Sequence, residues 1–515
     1  MRKVKVLGIG GSLRAARWGK GGHRLIEQIK GLKSEAELKT FIESESKMHL
    51  DNFVEVGRKD GVPFDQQYKK LRREYGHSGL SNSEVILAAA LWSAKELGCD
   101  IEFVSLSEYF VAAGRTQRLD ELKRAIAAAD AYILSTPVYF GDRSSIAHDL
   151  IQLVRNECTL SDQLKGRLYA GLAVGAKRNG GQETTLIYQL MDMVNCGLLG
   201  VGNDSETTAQ YGGTSHAGDV GTAWKDEYGL WTSMGTGRRV ARVAQLLALS
   251  ETAEINDKLK VAFWILQDRD GIARAGVDAL IEGCGDVVDP VLLDVSSDHV
   301  DRCIACDICP THIDLDKDYR CIITRKDDVF SDIHEDFLDV DAIVPVAFNP
   351  LDIHGLNSVY QQFIERTRYL RRGDYLFSDV PVAPLVFEEL GVNDSMTLRM
   401  VTSMLRQHTV MTRPLIAYLQ DGVRLNWDQV KGGWRDFLVQ ARRLAVGRLL
   451  RAELEETRLN YNPVGYILSA AKDREDEAMQ KRHSMVADRR ARAKDLANRR
   501  LIKTEAALAA VTAKP

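Results

Sequence analysis

Short apolar runs of strand length alternate with amphipathic stretches of helix length along the first 200 residues. Val4 to Ile9 is an apolar run that ends at Gly10-Gly11-Ser12, which reads as a buried strand meeting a glycine turn. From Ser83 to Leu97, the positions Val85, Ile86, Ala89, Leu91, Trp92 and Leu97 suit an amphipathic helix. The rhythm continues with a strand at Ile101–Val104, a helix at Leu119–Ala129 and a strand at Ala131–Ser135. A helix at Ser144–Arg155, a strand at Tyr169–Val174 and a helix at Thr184–Val194 complete the first cycle. Such alternation predicts a parallel sheet with both faces covered by helices.

A second cycle begins near Lys258, with strands at Val261–Ile265, Val291–Leu293 and Ala342–Val346. Helices are expected at Ala273–Ile281, Val329–Leu338 and Ser358–Leu370. The segment Ala128-Ala129-Asp130-Ala131-Tyr132-Ile133 matches Asp339-Val340-Asp341-Ala342-Ile343-Val344, which points to an internal duplication; chance similarity between two α/β units is the alternative. The expected fold class is therefore α/β: two doubly wound parallel-sheet domains, over residues 1–250 and 256–450. A charged helical insertion at about 22–80 separates the first strand from its helix, with helices at Arg24–Leu32, Glu35–Glu45 and Asp65–Glu74. It reads as a lid, a subunit contact or a decoration without catalytic residues. The tail, 451–515, is charged and helical, and its basic stretch Lys481–Arg500 suits either packing on a subunit or docking of an acidic partner.

Composition narrows the function classes. A chain of 515 residues exceeds one compact core, and its formal charge of −4 argues against a general nucleic-acid surface. No window approaches the roughly 18 apolar residues of a membrane span, and the N-terminus lacks a signal-peptide core, so a soluble cytoplasmic protein is expected. Of eight cysteines, Cys99, Cys158, Cys196 and Cys284 are scattered, whereas Cys303, Cys306, Cys309 and Cys321 share one short stretch. In a reducing compartment such clustering favours metal over disulfides.

Three loops at expected strand ends carry candidate chemistry. The turn Gly8-Ile9-Gly10-Gly11-Ser12-Leu13-Arg14 offers backbone freedom, a hydroxyl and a cation, which are what a bound phosphate needs. Ser81-Asn82-Ser83 precedes a helix whose N-terminus suits the same phosphate, with Ser81 or Asn82 as cap. Thr136-Pro137-Val138-Tyr139-Phe140-Gly141 offers aromatic walls and backbone N–H groups to a flat apolar ring. A further loop, Gly175 to Thr184, contains Gly180-Gly181-Gln182-Glu183 and opens a helix.

At these residues the chain resembles the NADPH-dependent FMN reductase family, whose members share the flavodoxin-like fold. The resemblance implies that Gly11, Ser12, Arg14 and Ser81–Ser83 hold the phosphate and ribityl end of FMN. It implies that Thr136, Pro137, Val138, Tyr139, Phe140 and Gly141 cradle the isoalloxazine ring. Gly180, Gly181 and Gln182 would border the ring and the pocket for the hydride donor, NAD(P)H. No separate dinucleotide domain is visible, because Gly8-Ile9-Gly10 lacks that fingerprint's spacing and acidic partner.

The spacing Cys303-x2-Cys306-x2-Cys309-x11-Cys321 can hold three corners of a cubane, with a fourth thiolate a loop away. A [4Fe–4S] cluster, a structural zinc site and a loop of reduced thiols or a redox pair all fit it; His312 is a further candidate ligand. The second half resembles the iron–sulfur flavoprotein branch of the same superfamily, with a wider gap before Cys321. It has lost the flavin residues: Leu266-Gln267-Asp268-Arg269-Asp270-Gly271 replaces the phosphate turn and Phe348-Asn349-Pro350-Leu351-Asp352 replaces the ring loop. The expectation is a fused pseudo-dimer in which one half keeps the flavin and the other the cluster, facing each other. The expected function is an FMN-dependent NAD(P)H oxidoreductase with a small-molecule or quinone-like acceptor. An electron carrier docking a redox partner protein and a biosynthetic reductase for one metabolite are the alternatives; a homo-oligomer is expected, and no residue stands out as acid or base.

Overall fold

The computed structural model describes residues 2–13, 23–57, 61, 63, 65–66, 79–111, 115–204, 210–306, 308–311, 319–454 and 475–503. Arg14, His312 and most of the expected Asp65–Glu74 helix lie outside the described residues. The chain divides into two compact units, Arg2–Gln245 and Leu246–Pro515.

In the N-terminal unit, strand β1 (Lys5–Gly10) leads to helices α1 (His23–Gly31) and α2 (Glu35–Gly57), then to α3 (Asn82–Glu96). There follow β2 (Asp100–Ser105), α4 (Leu119–Ala127), β3 (Ala131–Pro137), α5 (Ser145–Asn156) and β4 (Leu168–Gly175). The unit closes with α6 (Gln182–Asn195), β5 (Gly213–His216) and α7 (Glu227–Leu249). The strands pair in parallel in the order β2-β1-β3-β4-β5. This doubly wound order puts every strand's carboxyl end on one edge, where the loops between strand and helix gather. β3 and β4 are apolar along nearly their whole length because helices cover both faces.

Close helix contact sets one glycine. A Cβ on Gly237 of α7 would stand 2.0 Å from the Ala90 carbonyl oxygen and 2.3 Å from Ser93 Oγ of α3. Ser93 Oγ itself bridges the Ala90 and Met234 carbonyls at 2.9 and 2.8 Å. Gly237→Ala is expected to force these helices apart and cost about 1–3 kcal/mol, read as a lower urea midpoint at unchanged m-value.

The C-terminal unit repeats the strand order. Its elements are β6 (Leu259–Gln267), α8 (Ile272–Glu282), β7 (Val288–Asp294), β8 (Ala342–Asn349), α9 (Tyr360–Arg366) and α10 (Arg368–Asp374). Then come β9 (Leu385–Glu389), α11 (Met396–Leu405), β10 (Leu415–Gln420), α12 (Trp427–Leu454), α13 (Glu475–Arg500) and β11 (Leu501–Lys503). The parallel order is β7-β6-β8-β9-β10. The expected helix over Val329–Leu338 is instead two short 3₁₀ turns, Val329–Ser331 and His334–Phe337. The expected helix to Leu370 breaks at Thr367, whose hydroxyl donates to the Ile364 carbonyl and accepts from Gln407 Nε2. The tail is tied into this unit: β11 pairs antiparallel with Ala253–Ile255, and Arg500 donates to Asp257 and Asp341 at 2.8–3.0 Å.

Candidate functional site

The carboxyl ends of β1 and β3 and the start of α3 are knitted together by serine hydroxyls. The Gly11 N–H donates to the Ser135 carbonyl at 2.7 Å, and Ser135 Oγ donates to the Ser83 carbonyl at 2.7 Å. Ser144 Oγ, capping α5, donates to the Gly11 carbonyl at 2.5 Å, and the Ser144 N–H donates to Thr136 Oγ1 at 3.0 Å. A Cβ on Gly11 would stand 3.1 Å from the Ser135 carbonyl oxygen and 3.3 Å from Ala147 Cβ, so the turn has little room for any other residue. This network brings Gly11, Ser83 and Thr136 together. Ser135 and Ser144, which sequence reasoning left out, are its joints.

Ser81 and Asn82 take other roles. The Ser81 N–H and Oγ both donate to Glu84 Oε2, at 2.9 and 2.7 Å, forming a capping box on α3. Asn82 clamps a distant loop: its Nδ2 donates to the Asp219 carbonyl at 3.0 Å and its Oδ1 accepts from the Thr222 and Ala223 N–H groups. The Asn82 and Ser83 amides, in contrast, have no protein acceptor among the described residues. A helix N-terminus with two unengaged N–H groups, tied through Ser135 to the turn that the buried Ser12 follows, suits a phosphate.

The ring loop is a tight hairpin. Tyr139 and Asp142 exchange backbone bonds of 2.7 and 2.9 Å, and Phe140 and Gly141 between them have φ of +51° and +79°. Such a turn normally selects Asn or Gly at both positions, so the Phe at the first is strained. Phe140 is fully exposed, and Tyr139 is exposed beside it. The loop Gly175–Gln182 lies against this hairpin: a Cβ on Gly181, whose φ is +100°, would stand 3.0 Å from Gly141 Cα. Gln182 braces its own loop, accepting from the Gly180 N–H at 2.7 Å and donating to the Lys177 and Ser215 carbonyls. Glycine turn, orphan helix amides and aromatic hairpin together fit a flavin mononucleotide.

A polar cluster that the sequence did not reveal anchors the Gly175–Gln182 loop. Arg178 pairs with Asp226 and lies over the Tyr228 ring, 4.9 Å from its centroid. Asp226 also accepts from Ser215 Oγ at 3.0 Å and the His216 N–H at 2.8 Å. His216 Nδ1 stands 2.9 Å from the Arg178 guanidinium and 3.1 Å from the Asp226 carboxylate. Burial alone would raise the Asp226 carboxyl, but the His216 and Gly229 N–H groups, Ser215 and Arg178 outweigh it and hold it below the ordinary value of 3.8. Its stabilising contribution is thus complete above pH 3.8 and is lost as pH falls through the depressed native value. Asp226→Asn should cost about 1–3 kcal/mol near neutrality. In melts across pH, that deficit should narrow only in the acid range below the ordinary value.

In the C-terminal unit the corresponding phosphate cradle is already filled. The Asp268 carboxylate accepts from the N–H groups of Arg269, Ala273 and Arg274, at 2.8, 2.9 and 3.0 Å, at the start of α8. Arg269 in turn donates to the Asp352 and His354 carbonyls, closing the turn onto the loop that replaces the ring loop.

Cys303, Cys306, Cys309 and Cys321 are all unpaired thiols. Burial pushes the Cys309 thiol up to about 11, against the pull of Arg372 and Arg368, and Cys306 adds to the rise. Burial likewise raises Cys321, with Cys303 and Cys306 adding to it and Arg366 opposing. The donor chemistry is that of a thiolate metal site. Its arrangement is not: among the described residues, no three His, Cys, Asp or Glu side chains come together to hold a metal ion. Burial keeps Cys309 and Cys321 as protonated thiols, so a bound metal would have to displace their protons. No helix among the described residues is long and apolar enough to cross a membrane.

The sequence profile of the NADPH-dependent FMN reductases matches residues 76–203. An iron–sulfur flavoprotein of Methanocaldococcus jannaschii is 32% identical over 179 residues, covering 32% of this chain and 92% of that protein. One from Methanosarcina thermophila is 32% identical over 183 residues, covering 32% of this chain and 90% of that protein. A third, from Archaeoglobus fulgidus, is 24% identical over 192 residues, covering 34% and 96%.

Proposed function

Because the chain belongs to the family of NADPH-dependent FMN reductases and iron–sulfur flavoproteins, we propose that its N-terminal unit binds FMN and oxidises NAD(P)H, passing electrons to a small quinone-like acceptor. The carrying observation is the pair of unengaged amides of Asn82 and Ser83, held against the Gly11-Ser12 turn by Ser135. Bound FMN would supply the ring that accepts hydride and releases electrons. The Asn82 and Ser83 amides, with Ser12, would receive the phosphate. Tyr139 and the φ-strained Phe140 would wall the ring, and Gly141 and Gly181 would let the two loops meet there without side chains between them. Arg178, fixed by Asp226, would hold the Gly175–Gln182 loop in place.

Anaerobic addition of NADPH or NADH to flavin-loaded protein should bleach the flavin absorbance, and a quinone or ferricyanide should restore it without any partner protein. No bleaching by either nucleotide would overturn the reading. The complete exposure of Phe140 favours a second one, a carrier that docks a redox protein; bleaching without turnover on small acceptors would select it.

The cysteine loop belongs to the proposal as a site for a [4Fe–4S] cluster, supported by its four thiols and by the names of the three relatives. Binding would have to draw the thiols together, as metals do in many small sites. About four irons and four sulfides per chain are expected after anaerobic purification. Zinc, or no metal, would remove the cluster and leave the reductase.

A further inference from the structure

A cavity of about 340 Å³ lies within the C-terminal unit, between α12, α13 and the segment that enters β8. Six arginines reach its wall: Arg448, Arg451, Arg489, Arg490, Arg492 and Arg500. Three of them are matched by carboxylates. Arg451 pairs with Asp379, Arg492 with Asp339, and Arg500 with Asp341 and Asp257.

Arg489 lies 5.9 Å from the centroid of the Tyr319 ring, and Arg448 and Arg490 are matched by no carboxylate among the described residues. Arg448 donates to the Val340 carbonyl at 3.1 Å and makes no ion pair among the described residues. Burial pushes its guanidinium below the ordinary arginine value; Asp341 and Asp379 oppose this from a distance, and Arg451 and Arg500 reinforce it. Arg490 Nε is buried without a hydrogen-bond partner. The two acids of the wall that have no arginine partner, Glu335 and Asp488, are exposed, so water screens them. Asp488 also accepts from the Tyr319 hydroxyl at 2.8 Å. The interior of the cavity therefore holds cationic donors without their anion, while the carboxylates that have no arginine partner face solvent.

We propose that this cavity is a binding site for a phosphate monoester of about mononucleotide size, its phosphate shared between Arg448 and Arg490. Two guanidinium forks match the several oxygens and the near-double charge of a monoester, whereas a carboxylate would neutralise only one of them. The volume exceeds what a bare phosphate fills and lies in the range of small-molecule pockets. Leu376, Leu449 and Ala493 give the rest of the wall an apolar surface for the ester's organic part. The site lies within the C-terminal unit and rests on none of the residues assigned to the flavin.

Calorimetric titration of the flavin-loaded full chain tests it, with adenosine monophosphate, inorganic phosphate and benzoate as probes. Adenosine monophosphate should bind saturably, inorganic phosphate more weakly and benzoate weakest. Arg448→Gln and Arg490→Gln should each weaken adenosine monophosphate at least tenfold. Ala493→Leu, which narrows the cavity without changing its charge, should do the same with flavin content unaltered, and it keeps the test open if an arginine variant misfolds. No heat from either phosphate probe, benzoate binding as tightly as the nucleotide, or nucleotide affinity unchanged in the folded variants would each overturn the proposal.

Discussion

Ser12→Asp should yield a folded protein that no longer retains FMN. The C-terminal unit shows how a carboxylate behaves at this corner of the fold, because Asp268 takes the amides at the start of α8 for itself. A carboxylate at Ser12 would find the unengaged Asn82 and Ser83 amides in the same way, so the fold should tolerate it. An incoming phosphate would then meet both an occupied cradle and a like charge. At contact distance and an effective dielectric of about 20, that repulsion is on the order of several kcal/mol, and an FMN affinity lowered at least about a hundredfold follows. Flavin absorbance of the purified variant, beside its circular dichroism, reads both halves of the expectation. A yellow, folded Ser12→Asp protein would mean that the phosphate sits elsewhere.

Arg366→Met should be the most destabilising single change in the C-terminal unit. Arg366 is buried and donates to the equally buried Asp328 at 2.7 Å, to the Asp301 carbonyl at 3.1 Å and to the Ile323 carbonyl at 3.3 Å. Its guanidinium also lies 4.7 Å from the centroid of the Phe330 ring. Asp328 meanwhile accepts from the Asp301 and Phe330 N–H groups, so one ion pair fixes both ends of the chain that carries the cysteines. Removing the cation leaves a buried carboxylate without its partner, at a cost of about 3–5 kcal/mol. The double variant Arg366→Met/Asp328→Leu should recover part of that loss, because an apolar pair needs no compensating charge. Denaturant unfolding of the three proteins, with flavin content as the internal control for the N-terminal unit, checks this. A loss confined to flavin, with the unfolding curve unmoved, would contradict it.

Apolar periodicity made the strand-and-helix alternation legible because buried parallel strands need apolar side chains on both faces. The expected strand at Ala131–Ser135 is observed at Ala131–Pro137, and the expected helix at Ser144–Arg155 at Ser145–Asn156. Local patterning fails where a long-range contact decides. Val329–Leu338 has a helical pattern, yet Asp328 caps its first turn from a side chain held by Arg366, 38 residues on, and the segment stays in 3₁₀ turns. Within the site, the glycine turn and the Thr136–Gly141 loop were visible because backbone freedom and aromatic content are local. The Asn82 side chain clamps residues about 140 positions away, a partner no window of sequence contains, and leaves only its backbone amide for a phosphate. Arg178 and Asp226 are hidden for the same reason, being 48 residues apart and joined only by the fold.

Flavin-stripped protein titrated with FMN and with riboflavin, followed by quenching of flavin fluorescence, addresses the phosphate cradle itself. Two charge-assisted bonds from the α3 amides, each worth about 1.5–3 kcal/mol, predict one FMN per chain bound at least about a hundredfold more tightly than riboflavin. Equal affinity for the two flavins, or no quenching by either, would contradict the account.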